Sequence, residues 1–174
     1  SLGSRGLGDV YKRQFMYSPI KGEDIYKESL NNGFKKSGDS DKKNKFEIVT
    51  TVFGRVCEED EIDQYLYPAR NIYTLYVGGM GAKSKNFYYN LFCEYGYEDI
   101  ADELQNLYLS GNKKESEELF PKELLNELTL VGTKKDIEKK LETWKESNIT
   151  EISLSLPIDF ETVKFIKELL WKFF

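Results

Sequence analysis

The chain has 174 residues, of which 40% are hydrophobic, so it can bury the core of one domain and is unlike a disordered segment. Its formal net charge of −5 would repel phosphate backbones, and no apolar run is long enough to span a bilayer, which argues against nucleic-acid binding and membrane insertion. The sequence contains no histidine, which excludes Ser-His-Asp and Cys-His catalysis and zinc sites built on histidine.

The first fourteen residues, SLGSRGLGDVYKRQ, are rich in glycine and lack apolar periodicity. They resemble translated adapter sequence fused to a gene fragment, and a flexible native N-terminus is the alternative. We therefore set residues 1–14 aside as a non-native tail and assign the folded domain to residues 15–174.

The first predicted element is a helix at 23–36, because Tyr26, Leu30 and Phe34 recur at a spacing of four. The segment FEIVTTVFGRV at 46–56 is rich in β-branched and aromatic residues and predicts a buried strand. We expect this strand to carry an unpaired edge that recruits other chains, since few charges protect it.

The middle of the chain is predicted to be helical. A helix begins at residue 60 and is expected to be interrupted or kinked by Pro68, which removes a backbone hydrogen bond. Further helices are predicted at 86–95, 99–109 and 115–127, the last around Pro121. The acidic run 58–61 is interpreted as a solvated helix start rather than a catalytic pair of carboxylates.

The last third has the clearest pattern. Thr133 and Asp136 resemble a capping box that opens a helix, with Asp in place of the usual Glu. Residues 151–156 alternate between apolar and polar side chains and predict a strand. Asp159 can then cap a final helix.

These elements have the order strand, long helical excursion, strand, helix. A hairpin cannot explain so long a connection, so we predict that the strands at 46–56 and 151–156 are parallel neighbours in an α/β fold. A third strand is expected at 15–17. Three strands fall short of the eight that a complete TIM barrel requires.

The two cysteines, Cys57 and Cys93, match no metal-binding or redox spacing. We expect free thiols, a reducing compartment and therefore a cytoplasmic protein.

The window 75–97, LYVGGMGAKSKNFYYNLFCEYGY, combines four glycines, three of them between residues 78 and 81, with two lysines and many aromatic residues. A loop that brings its backbone close to a polar ligand needs such glycines, because they leave no side chain in the way. A tight turn between two closely packed helices is the alternative interpretation.

The quoted segments carry a family resemblance. YVGGMGAKSKNFYYNL and YGYEDIADELQNLYLSG are similar to the inserted helical region of the luciferase-like monooxygenase superfamily, in its branch of coenzyme F-420-dependent oxidoreductases. FEIVTTVFGRV resembles the seventh barrel strand, and LTLVGTKKDIEKKLETWKESNITEISLSL resembles the penultimate helix and eighth strand of that family. The resemblance implies the C-terminal half of a (β/α)8 TIM barrel with a helical insertion. The N-terminal half, which supplies much of the cofactor pocket, has no counterpart here, so catalytic residues stay unassigned.

The chemistry that the resemblance implies is hydride transfer between coenzyme F-420 (a deazaflavin), or reduced FMN in flavin-dependent relatives, and a small organic substrate. On barrel geometry the cofactor and substrate would bind at the carboxyl ends of the strands. The isolated chain is expected to be inactive and to self-associate.

Candidate binding residues follow from this geometry. Backbone N–H groups of three glycines would face an anion, and lysines, an asparagine and a strand-end arginine would add polar contacts; the candidates are Gly78, Gly79, Gly81, Lys83, Lys85, Asn86, Arg55 and Gly132. Close packing, ordinary capping at Gly132 and a solvated strand end at Arg55 are the alternatives.

Two other function classes remain open. The chain could be a non-catalytic helical interaction module whose aromatic residues contact a partner. It could also be part of an unrelated phosphate-binding barrel, with Lys83, Lys85 and Gly132 as the contacts.

Overall fold

The computed structural model describes residues 11–81, 85–155 and 159–173. In these ranges the chain forms an α/β fold, in which helices pack on a parallel sheet. The sheet has four strands within the described residues, namely β1 (Tyr11–Phe15), β2 (Glu47–Val56), β3 (Leu130–Gly132) and β4 (Glu151–Ser155).

Strand β2 is central, and β1, β3 and β4 all pair with it in parallel. The predicted parallel pairing of the strands at 46–56 and 151–156 is therefore confirmed. The expectation of an unpaired edge on this strand is wrong, because β1 pairs with 47–51 and β4 pairs with 49–53 on the opposite edge. The free edges lie instead on β1 and β4, which pair with no other described strand.

The sequence analysis set residues 1–14 aside from the folded domain, but residues 11–14 lie in β1, so that exclusion is wrong for them. The non-native origin of the N-terminal segment stays a prediction. Of the strand expected at 15–17, only Phe15 lies in a strand, because β1 ends there. Met16 follows with a φ of 58°. Lys12 places its amine 3.9 Å from the centre of the Tyr26 ring. Contacts of this kind are tertiary, and glycine-rich composition does not reveal them.

The helices occupy most of the remaining described chain. They are α1 (Gly22–Ser37), α2 (Lys42–Lys45), α3 (Ile62–Gly79), α4 (Phe87–Phe92), α5 (Glu98–Leu109), α6 (Lys113–Glu118), α7 (Lys122–Glu127), α8 (Lys134–Glu146) and α9 (Phe160–Phe173). A 3-10 turn, Glu59–Glu61, leads into α3, and a π turn, Cys93–Tyr97, joins α4 to α5.

The two prolines of this region behave differently. Helix α3 runs through Pro68 without a break, so the predicted interruption is wrong. The lost hydrogen bond is outweighed by packing, since Leu66, Tyr73 and Val77 are completely buried along the helix. Pro121 instead lies just before α7, where its missing N–H costs no helical bond, and it separates α6 from α7.

Strand β2 contributes side chains to two hydrophobic cores. Val52 packs with residues of α8 and α9, including Ile166. Phe53 belongs to the other core, where its ring lies 5.8 Å from that of Tyr73 in α3. Successive strand side chains point to opposite faces, so α8 and α9 cover one face of the sheet and α3 crosses the other.

The predicted caps are confirmed. In the capping box of α8, the Asp136 N–H donates to the Thr133 hydroxyl (3.3 Å) and the Thr133 N–H donates to the Asp136 carboxylate (3.0 Å). Asp159 caps α9, since its carboxylate accepts the Thr162 N–H at 2.7 Å.

Candidate functional site

Arg55 lies at the carboxyl end of β2, where β4 also ends. Its Nη1 forms an ion pair with the Asp159 carboxylate at 2.6 Å, and its guanidinium lies 4.5 Å from the centre of the Tyr65 ring. The side chain is only 25% exposed, and its buried Nε finds no hydrogen-bond acceptor among the described residues. A partly desolvated guanidinium with spare donors is suited to bind an anion.

Asp159 and Thr162 hold this arginine in place. The Thr162 hydroxyl donates to Asp159 at 2.8 Å and accepts the backbone N–H of Val56 at 2.9 Å, which fixes the start of α9 to the end of β2. Burial of the Asp159 carboxyl acts to raise its pKa, but hydrogen bonds from Thr162 and the charge of Arg55 outweigh burial and lower the pKa. Asp159 is therefore an anion at neutral pH.

The space beside Arg55 is small. A cavity of about 20 Å³, roughly the space of one water, is lined by Phe53, Tyr65, Val131 and Ser155 as well as the arginine. The described residues thus enclose no space of ligand size beside Arg55.

Gly78 and Gly79 lie in the last turn of α3, against Tyr108 of α5. A Cβ on either glycine would lie 2.6 Å from an atom of the Tyr108 side chain. This contact accounts for both glycines without a ligand, in agreement with the close-packing alternative.

Gly81 and Asn86 shape the turn after α3. Gly81 has a φ of +118°, which favours glycine. Asn86 is buried: its amide oxygen accepts the N–H groups of Tyr88 and Tyr89 and so caps α4, while its Nδ2 donates to the Tyr76 and Val77 carbonyls. Internal bonds therefore occupy its side chain. Lys85 is exposed, and Lys83 lies outside the described residues.

Gly132 ends β3 with a φ of +151°, and a Cβ there would lie 3.0 Å from the Cβ of Asp136. Its carbonyl accepts the backbone N–H of Cys57 at 3.0 Å. Pairing of Val56 with Gly132 brings this glycine close to Arg55. The glycines at the end of α3 are distant, since the thirteen residues from Tyr65 to Gly78 span about 20 Å of helix. The predicted residues thus form two groups.

A larger cleft, of about 770 Å³, lies between the start of α3, α7 and α8. Lys140 of α8 lines it, and its Nζ donates to Asn126 Oδ1 (2.6 Å) and to the Val131 carbonyl (2.8 Å). Burial lowers the pKa of the Lys140 amine to about 8, against the opposing charges of Asp136 and Cys57. The sequence does not signal this lysine, because lysines of amphipathic helices are usually solvated.

Within the described ranges, no helix combines the length and apolarity needed to cross a membrane. The same residues contain no group of three or more cysteine, aspartate or glutamate side chains that could hold a metal ion. Cys57 and Cys93 are free thiols, as predicted.

No family model matches the chain. The chain is 31% identical over 134 residues to a curated protein of Mycobacterium tuberculosis named as a putative coenzyme F-420-dependent oxidoreductase. This alignment covers 77% of this chain and 38% of that protein. In fold it resembles the coenzyme F-420-dependent tetrahydromethanopterin reductase of Methanopyrus kandleri, with a TM-score of 0.62, 14% identity and coverage of 94% of this chain and 44% of the reductase.

An F-420-dependent secondary alcohol dehydrogenase, solved with an F-420–acetone adduct, has a TM-score of 0.58 and 14% identity over 92% of this chain and 42% of the dehydrogenase. The chain thus spans about two fifths of the length of the proteins it matches. The chain is thus similar in sequence to a protein named for coenzyme F-420-dependent oxidoreduction and in fold to two F-420-dependent enzymes, which confirms the resemblance found in the sequence.

Proposed function

We propose that this chain is part of an oxidoreductase that transfers a hydride between coenzyme F-420 and a small organic substrate. The observation that carries the proposal is the match of 134 residues to a protein named for F-420-dependent oxidoreduction. The deazaflavin supplies the hydride chemistry when bound, while the protein orients it and excludes water. Reduced FMN is the alternative cofactor, and the cytoplasm is the proposed compartment.

The chain would supply the C-terminal half of a (β/α)8 barrel, with α3 to α7 as the insertion after the seventh strand. Two features of the sheet support this assignment. The order β1, β2, β4 is parallel throughout, and β1 and β4 each leave one edge without a described partner strand. A closed barrel would pair both edges with strands from elsewhere.

Arg55 is the residue that we propose for anion binding in this site. It projects from the carboxyl end of a parallel strand, which is the end that carries ligands in such folds. Its ion pair with Asp159 fixes the guanidinium while donors remain for a negatively charged group of the cofactor or substrate. Gly132 lies beside it as a second candidate, whereas contacts from Gly81 and Lys85 would require a ligand that reaches the far end of α3. Lys83, outside the described residues, stays a candidate from the sequence.

The test is a titration of oxidised F-420 and of FMN into the full-length parent protein, followed spectroscopically, with reduction assayed on a panel of secondary alcohols. We expect F-420 binding and loss of its visible absorbance on turnover. Binding of FMN alone would favour the flavin alternative, and binding of neither would contradict the proposal. The variant Arg55→Gln should weaken cofactor or substrate binding, with Arg70→Gln, at an arginine of α3, as the control.

A further inference from the structure

Lys140 lines the cleft between α3, α7 and α8, away from the strand-end arginine. Both acceptors of its Nζ are neutral oxygens, one from the Asn126 amide and one from the Val131 backbone. A neutral amine has two N–H groups, which match these two acceptors, and its lone pair takes the remaining tetrahedral position. This arrangement therefore suits the uncharged, nucleophilic form of the side chain.

The charged groups around the cleft include both acidic side chains, which raise the pKa of the Lys140 amine, and basic side chains, which lower it. Carboxylates also line the cleft: Glu59 and Asp60 from the 3-10 turn before α3, Asp63 from α3, and Glu123 from α7. Asp136 lies one turn away from Lys140 on α8 itself. Lys122 and Lys139 add positive charge to the same walls, and the Cys57 thiol is also close enough to act on the amine. Burial outweighs these charges and brings the pKa of Lys140 to about 8, so about half of the amine is neutral at that pH.

We propose that Lys140 is a modification site, at which small acyl phosphates that enter the cleft acylate the side-chain amine. In this step the lone pair of Nζ forms a bond to the acyl carbon, the carbon–oxygen bond to phosphate breaks, phosphate leaves with the electron pair, and the amine loses one proton to solvent. The cleft volume of about 770 Å³ admits a donor of this size.

Acylation would change the local structure in a defined way. The product amide keeps one N–H, so it can satisfy Asn126 or the Val131 carbonyl but not both. The modification would therefore loosen the contact between α7, β3 and α8 as well as remove a positive charge.

The experiment is incubation of the chain with acetyl phosphate between pH 6.5 and 9.5, followed by mass spectrometry of its peptides. Lys139 is the internal control, because it is an exposed neighbour on the same helix and lines the same cleft. At pH 7.5 we expect Lys140 to react about tenfold faster than Lys139, because a pKa of about 8 leaves a substantial fraction of the Lys140 amine neutral at that pH. The rate at Lys140 should level off above pH 8, where most of its amine is already neutral.

The variant Asn126→Asp gives a second readout. Asn126 is exposed, so the substitution should leave the fold intact while a carboxylate 2.6 Å from the amine favours its charged form. We expect acetylation of Lys140 in this variant to fall several-fold at pH 7.5, with Lys139 unchanged. Equal rates at the two lysines of the natural chain, or no effect of Asn126→Asp, would overturn the proposal.

Discussion

Gly78 shows how a residue that looks ready for a ligand can be required by packing. It lies where α3 touches α5, and any side chain there would meet Tyr108. Asn86 behaves in the same way, because all of its polar atoms bond to the ends of α3 and α4. Their spacing in the sequence is equally compatible with a binding loop, and only the tertiary contacts distinguish the two.

The substitution Gly78→Ala should lower the free energy of unfolding by about 1–3 kcal/mol, because the new methyl group would overlap Tyr108 Cβ. Gly33→Ala is the matched control, since Gly33 lies within α1 with no atom near its missing Cβ. It should instead raise stability by about 1 kcal/mol through helix propensity. Urea unfolding of both variants measures the difference, and equal effects would contradict the packing role of Gly78.

At the scale of elements, α9 is attached to β2 through Asp159 and Thr162. The pKa of Asp159 lies below its usual value of 3.8. A carboxyl group with a depressed folded-state pKa adds stability above its unfolded pKa, and this contribution is lost as the pH falls through the folded value.

The variant Asp159→Asn should therefore unfold more readily than the natural chain at pH 7, by about 1 kcal/mol, because asparagine keeps the helix cap but loses the ion pair with Arg55. The deficit should shrink as the pH falls below 3.8 and through the lower folded-state pKa of Asp159, where the natural carboxyl becomes protonated in the folded chain too. Glu161→Gln, in the exposed first turn of α9, controls for charge at the same helix end. Urea unfolding at pH 7 and at a pH below the pKa of Asp159 measures the loss in free energy of unfolding. A loss that is the same at both pH values would show that the charge of Asp159 is not the cause.

Local patterns predicted some elements well and missed others for physical reasons. The β-branched run of β2, the alternation of β4 and the cap at Thr133 each carry a local signal, and each is present in the fold. Strand β3 has three residues, too few for any periodicity to show. Strand β1 depends on pairing with β2, and the position of Lys140 depends on α7 and β3; such contacts between distant segments leave no pattern in the sequence.

At the scale of the whole molecule, the matched proteins are more than twice as long as this chain. We expect the isolated chain to show no F-420-dependent turnover, because the cavity of about 20 Å³ beside Arg55 is far too small to enclose a cofactor. Stopped-flow measurement of hydride transfer would check this. A rate equal to that of the full-length parent would contradict it.

The isolated chain should also self-associate. The edges of β1 and β4 lack described partner strands, and α9 exposes Phe160 and Trp171, with 78% and 79% of their surfaces accessible. Co-expression with the N-terminal half of a related barrel should cover these surfaces and yield a complex that sediments as one barrel. A compact monomer of the chain alone in sedimentation would contradict this expectation.

The position of β2 has a consequence for how the molecule comes apart. Because Val52 belongs to one core and Phe53 to the other, neither core can open without moving the same strand. The two cores, with the helices that pack on each, should therefore unfold as a single cooperative unit rather than as two separately unfolding units. The backbone amides of β2 should be the slowest in the molecule to exchange with deuterated solvent, since they are released only by global unfolding.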